Sequence, residues 1–347
     1  MAIRVGLIGF GLAGETFHAP LISSIRDFSL VAIVTNNAER RMSASRQFPA
    51  ARLLASVDEL WRASSDFDLI VVASPNGKHV EHARGAIDAG LSVVVDKPFA
   101  GNATEAQTLV DAAKHRGVIV VPFHNRRWDG DFLTLRSLID AGKLGAVVRF
   151  ESRFERWRVV PKPRWMAPNA TGMGEGMLPD LHSHLIDQAL VLFGPVKDVY
   201  ADTDKRRAGV QVEDDAFVAL SHVSGVRSHL TATIVAADIG PRYRVYGDAG
   251  AYVKFGVDPQ EEMLKSGRRP GQAGFGEELE AQWGSLSDGA SSMKVPTLAG
   301  QYTNFYAGVA EALRGGAPPV DPADAVAGLA IIDAAYRSAA ERRVVQL

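Results

Sequence analysis

The chain has no cysteine among its 347 residues. Disulfides, thiolate nucleophiles and cysteine-ligated metals are therefore excluded, and a reducing cytoplasm is the expected setting. An excess of charge is missing too, since 38 Lys+Arg face 40 Asp+Glu and leave a net charge of -2. That balance argues against nucleic acid or an anionic membrane as partner. No apolar run approaches the roughly 18 residues that a membrane helix needs. Arg4 followed by VGLIGFGLAG is short and glycine-broken for a signal peptide, so it reads as mature structure. There is no internal repeat and no long low-complexity segment. What the chain does have is 46% hydrophobic residues, over a length suited to about two domains.

The first stretch, Ile3 to Gly14, organises the rest. Ile3, Val5, Leu7 and Ile8 predict a strand buried on both faces of a parallel sheet. Gly9-Phe10-Gly11-Leu12-Ala13-Gly14 follows, a Gly-x-Gly-x-x-Gly turn opening a helix over Leu12–Ile25 that Pro20 should kink. In a dinucleotide site the first glycine permits the turn, the second lets the backbone approach a pyrophosphate, and the third lets helix and strand pack closely. The helix-start N–H groups at Leu12 and Ala13 would then face the phosphates. The alternative is a plain strand-to-helix turn.

Further strands are expected at Ser29–Thr35, Asp68–Ala73, Ser92–Val95 and Val118–Pro122, alternating with helices at Lys78–Ala89 and Asn102–Arg116. This alternation predicts a doubly wound parallel sheet over residues 1–122. A ribose-binding acid belongs about 20 residues after the glycines in folds that prefer NAD. Thr35, Asn36 and Asn37 stand there instead, with Arg40 and Arg41 just beyond. The missing carboxylate and the nearby arginines favour NADP over NAD, against the alternative that both arginines solvate a helix face. Ser74, Pro75, Asn76 and His79 follow one strand and Lys97 another, so all lie where ligands meet such sheets. Asn76 could equally cap a helix, and His79 could be an ordinary first-turn residue. Lys97 could offset charge on an alkoxide or be a surface cation.

After Pro122 the character changes, and residues 123–347 read as an α+β domain with a large, mainly antiparallel open sheet. The last helix, over Ala323–Arg342, is free to return to the first domain. Asn125, Arg126 and Trp128 in FHNRRWD are candidates to line a pocket for a hydroxylated substrate, unless the arginines only pair with acids across the domain interface. In Gly172–Gly194 apolar residues recur at helical spacing, placing Asp180 and His184 on one face and His182 elsewhere. A carboxylate beside a histidine suits acid/base work. Asp180 could instead be a helix cap. A strand here would align Asp180, His182 and His184 as metal ligands, but the helical run after His184 opposes that, and no metal is expected. Hairpins are expected at Asp215–Val223 with Val226–Val235, and at Arg242–Gly247 with Ala251–Phe255. Pro259–Gly276, polar and glycine-rich, reads as a mobile loop, and Tyr302–Arg314 as a helix. An uncovered sheet face would suit a homodimer or homotetramer.

Taken together, the glycine turn with Phe17-His18-Ala19-Pro20, Pro75-Asn76-Gly77-Lys78-His79, Asp96-Lys97-Pro98, Asn125-Arg126-Arg127-Trp128 and Asp180 to His184 running into Asp187 resemble one family in order along nearly the whole chain. The sequence resembles the Gfo/Idh/MocA oxidoreductases, and within them a branch like the scyllo-inositol dehydrogenases. The resemblance implies a Rossmann domain followed by an α/β domain with an open sheet. It implies that Lys97 is the lysine of a Glu-Lys-Pro motif and that Asp180 and His184 form an Asp-x-x-x-His pair. Asp96 here replaces the commoner glutamate. His182 replaces the usual glycine, which would bring an imidazole into the substrate pocket. The expected activity is NAD(P)-dependent hydride transfer at a secondary alcohol or ketone of a sugar, inositol or related polyol. Two rivals are a non-catalytic dinucleotide-sensing regulator and an enzyme cleaving glycosidic bonds through transient redox.

Overall fold

The apolar runs near the start of the chain become six parallel strands in a computed structural model, which describes residues 2–167 and 174–347. They are β1 (Ile3–Ile8), β2 (Phe28–Val34), β3 (Arg52–Leu54), β4 (Leu69–Val72), β5 (Ser92–Val95) and β6 (Val120–Pro122). Their order is β3-β2-β1-β4-β5-β6. All four β4 residues are buried, as a strand covered on both faces requires. The order reverses between β1 and β4, and ligands bind at such a switch point, beyond the carboxyl ends of the strands.

The chain divides into two units. The first comprises Met1–Trp128, Gln260–Gly276 and Gln301–Val326; the second comprises Asp129–Pro259, Glu277–Gly300 and Ala327–Leu347. In the first unit Val5, Leu7, Ile33, Leu69, Val71 and Val94 share one core with Tyr302, Phe305, Tyr306 and Val309. The last three lie on the helix Thr303–Leu313.

Two expectations need correction. The irregularity expected at Pro20 lies earlier, because Ala13–His18 is a π-helical turn followed by an α-helix at Ala19–Ser23. Pro20 sits in the first turn of that α-helix, where its missing N–H costs little. Nor is Pro259–Gly276 simply a loop. Gln260–Lys265 is an α-helix with Leu264 buried in the core, which its high polarity concealed.

In the second unit the strands are β7 (Val147–Glu155), β8 (Val196–Asp204), β9 (Asp215–His222), β10 (Arg227–Thr233), β11 (Tyr243–Gly247), β12 (Ala251–Lys254), β13 (Gly284–Ser287), β14 (Ser292–Val295) and β15 (Val345–Gln346). They form one nine-stranded sheet ordered β14-β13-β12-β11-β7-β10-β9-β8-β15. Only β7 and β10 pair in parallel among the described strands of this sheet. Both expected hairpins form, as β9–β10 and β11–β12. The short β13–β14 hairpin has too little hydrophobic alternation to mark it in the sequence. The helix Ser183–Phe193 lies on this sheet, with the Phe193 ring 5.3 Å from that of Phe150 on β7. Of the stretch Gly172–Gly194, residues 172 and 173 fall outside the described part.

Candidate active site

The first unit carries the glycine turn. Gly9 has φ +101°, and a β-carbon there would strike the Ala73 carbonyl oxygen at the end of β4. A β-carbon on Gly14 would strike the Gly9 carbonyl oxygen. Gly11 differs, because the nearest atoms to a β-carbon there belong to the Arg40 guanidinium, at 3.8 Å. A pyrophosphate approaching Gly11 would thus meet the far end of a flexible, cationic side chain rather than main chain, and no side chain caps the turn at Leu12. Both features fit a dinucleotide.

At the end of β2, Thr35 is buried, and its N–H donates to Leu54 O at 3.0 Å. Asn36 is exposed. Asn37 caps the helix Ala38–Gln47, its Oδ1 accepting from the Arg40 N–H at 3.0 Å. Arg41 spends its guanidinium on main chain, donating to Thr35 O at 3.1 Å and Leu53 O at 3.3 Å. Arg40 is the exposed arginine of the two, and it reaches the glycine turn rather than merely solvating its helix.

Beyond β4 and β5 the other crevice residues are braced to one another. The His79 imidazole is 1% exposed and bridges Ser74 O and Pro98 O, each at 2.8 Å. It ties the two strand ends together from beneath. Asn76 opens a 3₁₀ turn, Asn76–Lys78, whose N-cap position is Pro75. Lys97 lies two residues past β5, and its N–H donates to Asp96 Oδ1 at 2.9 Å. Asp96 Oδ1 also stands 3.7 Å from His18 Nε2, and His18 Nδ1 shares a 2.6 Å hydrogen bond with the Tyr306 hydroxyl. Burial would raise the Asp96 carboxyl, but His18, His79 and Lys97 together hold it below its ordinary value. A carboxylate is thus kept beneath Lys97 by a buried chain of partners running back to the helix Thr303–Leu313.

The FHNRRWD cluster makes its described contacts within this unit. Asn125 is buried; Arg126 is 8% exposed and donates to Glu261 at 2.8 Å. Arg127 pairs with Asp324 at 2.8 Å. Trp128 packs edge-on against Phe305, with ring centroids 5.8 Å apart. The arginines pair with acids as expected, but those acids belong to their own unit.

The second unit carries Asp180, His182 and His184. Leu178–His182 is a π-helical turn leading into Ser183–Phe193, so the strand reading that would have aligned the three does not hold. Asp180 is not the cap either, since Met177 occupies that position. The turn is held by Glu213, whose Oε1 accepts from the Leu178 N–H and from the Tyr336 hydroxyl, both at 3.0 Å. Burial pushes the Glu213 carboxyl up. Sequence offered no sign of this support. His184 is 5% exposed. His182 is fully buried and turned toward Leu230 O on β10 at 3.3 Å and Met177 O at 3.4 Å, and burial lowers its pKa to about 4.

Asp180 has cationic neighbours that sequence reasoning passed over. Lys162 Nζ lies 3.6 Å and Arg164 Nη2 3.7 Å from its Oδ2. The signal was present in RFERWRVVPKPRW, where cations crowd one short stretch. Among the described residues no group of three His, Cys, Asp or Glu is arranged to hold a metal ion, and no helix is long and apolar enough to cross a membrane.

Two family models match the chain. Residues 3–124 match the oxidoreductase family's NAD-binding Rossmann fold, and residues 136–347 match that family's C-terminal alpha/beta domain. The chain is 34% identical to the scyllo-inositol 2-dehydrogenase (NADP(+)) IolW of Bacillus subtilis, across 99% of this chain and 96% of that one. It is 38% identical to the oxidoreductase YdgJ of Escherichia coli over 99% of each. A solved structure of the putative oxidoreductase yvaA from Bacillus subtilis superposes with a TM-score of 0.94 at 33% identity, covering 100% of this chain and 99% of that one.

Proposed function

Since the chain belongs to the Gfo/Idh/MocA oxidoreductase family, we propose that it oxidises a secondary alcohol of a sugar, inositol or related polyol, or reduces the matching ketone, with NADP preferred over NAD. The observation that carries this reading is the position of Lys97. It stands at the carboxyl edge of the same parallel sheet whose first strand ends in the glycine turn.

Gly9, Gly11 and Gly14 would hold the dinucleotide by its pyrophosphate, which Leu12 and Ala13 would meet through their N–H groups, and Arg40 would meet the 2′-phosphate. When bound, the nicotinamide supplies hydride acceptance or donation at C4. In this reading His184 takes the proton of the substrate hydroxyl and Asp180 orients the imidazole or holds the substrate. The Lys97 ammonium stabilises the forming alkoxide, on a residue whose main-chain N–H is held by Asp96. The same reading takes the protein as cytoplasmic and as a homodimer or homotetramer. Exposed Val148, Tyr200 and Met293 on the strands of the large sheet support the assembly.

The test is reduced-nicotinamide absorbance with purified protein, NADP or NAD, and a panel of inositols, aldoses and their ketones. Turnover with one stereoisomer and faster use of NADP is the expected result. Cofactor binding with no turnover on any member would instead favour a dinucleotide sensor.

A further inference from the structure

The pocket around Asp180 in the second unit is more basic than a neutral polyol requires. Its walls include Arg156, Arg158, Lys162 and Arg207 against the single carboxylate of Asp180, with Trp165 as the apolar side. Arg207 is a built part of that wall. Its side chain is 8% exposed, its Nε donates to Asp214 at 2.8 Å and its Nη1 to Arg158 O at 2.9 Å, and its guanidinium lies 5.7 Å from the Trp165 ring centre. Asp214 is itself fully buried. Yet Arg207 Nη2 is buried with no hydrogen-bond partner among the described residues. A buried donor left unserved is costly, and more so when it carries charge. Arg158 lines the same pocket from a largely exposed position.

We propose that this pocket receives an oxyanion, so that the polyol acted on here carries a carboxylate or a phosphoryl group next to its hydroxyls. The inference rests on the oxidoreductase reading only for the identity of the site. Either oxyanion would satisfy Arg207 Nη2 through a charge-assisted hydrogen bond, and a planar guanidinium suits both. Asp180, on the same wall, accepts from a neighbouring hydroxyl.

The experiment compares D-glucose, D-glucuronate and D-glucose 6-phosphate, alongside scyllo-inositol, in the same absorbance assay. The expected result is a kcat/KM roughly tenfold or more higher for a charged member than for its neutral parent. Preference for the uronate or for the phosphate identifies which oxyanion the pocket takes. Arg158→Ala should reduce that preference severalfold, which a merely structural role for Arg158 would not do. Arg207→Gln should reduce it further, but this variant can fail to fold because Arg207 braces Asp214, so Arg158→Ala is the decisive one. Good turnover of neutral members with no gain from charge overturns this inference and leaves the oxidoreductase reading standing. If no member turns over, calorimetric binding of D-gluconate and of inorganic phosphate decides. Binding that weakens in Arg158→Ala upholds the oxyanion pocket without the redox reading, and equal or absent binding overturns it.

Discussion

The guanidinium of Arg40 stands 3.8 Å from where a β-carbon on Gly11 would be, so a helix residue that follows β2 closes over the turn that follows β1. Asn37 fixes this arrangement, because its side chain caps the helix and sets the direction in which Arg40 leaves it. The neighbouring Arg41 is committed to main-chain carbonyls. Arg40→Ala should therefore raise KM for NADP by roughly tenfold and alter KM for NAD much less. Arg41→Ala should instead lower thermal stability with little change in the NADP/NAD ratio. Steady-state kinetics with both cofactors check the pair. An unchanged cofactor ratio in Arg40→Ala removes this residue from 2′-phosphate recognition.

Glu261 is the half-buried acid that holds Arg126. Burial alone would raise its carboxyl, but the charges of Arg126 and Lys265 outweigh this and bring it down to about 2. The unfolded value is about 4.3. A depressed carboxyl contributes stability that is complete above the unfolded value and is lost as pH falls through the folded one. Glu261→Gln should cost about 2–3 kcal/mol at pH 7 by urea unfolding, and the gap should narrow toward pH 2. A gap independent of pH would assign the loss to packing rather than to charge.

How far the sequence could be read depended on how local the cause was. The glycine turn, five of the six parallel strands and the β9–β10 and β11–β12 hairpins follow from residues adjacent in the chain and appear where periodicity and turn chemistry put them, whereas the three-residue β3 is too short to show a period. Leu264 and Tyr306 were not legible as parts of the first unit's core, because their partners lie more than a hundred residues away. Separation along the chain also hid Glu213, 35 residues from its partner Leu178 in the Asp180 turn, and Glu261, 135 residues from Arg126. The arginines and the lysine around Asp180 were visible as composition but not as a wall. Only pairing of the segment after β7 with the segment after β10 gathers them, through Arg156 N–H to Thr233 O and Arg158 N–H to Ile234 O, both at 2.9 Å.

Lys97 and His184 are the two residues whose removal should separate chemistry from binding. Lys97→Ala takes away the ammonium assigned to the alkoxide, and His184→Ala the base. Each should lower kcat by about 10²–10⁴-fold. Dinucleotide affinity, followed by quenching of tryptophan fluorescence, should persist in His184→Ala. Asp96→Asn offers a graded companion, because it leaves Lys97 in place but removes the carboxylate charge that accepts from the Lys97 N–H. Its effect should appear in kcat and in the pH profile more than in KM. Full activity in both alanine variants would end the assignment.

His182 tests how the second unit tolerates a buried imidazole. Its pKa of about 4 comes first from burial, only partly offset by the long contacts to Leu230 O and Met177 O. An unfolded imidazole titrates near 6.5. Between those values the unfolded chain takes a proton that the folded chain refuses, so stability is complete above about pH 6.5 and declines as pH falls toward 4. The decline attributable to this one group reaches about 2–3 kcal/mol at pH 4. His182→Gln, which does not titrate, should lose some stability at pH 7 through altered packing and then show a shallower fall on acidification. Other histidines held low by burial, His82, His222 and His229, add their own slopes in both proteins. The quantity to measure is therefore the difference in urea midpoint between wild type and variant from pH 7 down to pH 4.5. A difference that closes as pH falls shows that His182 resists protonation in the fold, whereas a constant one means that the imidazole is hydrated and free to titrate.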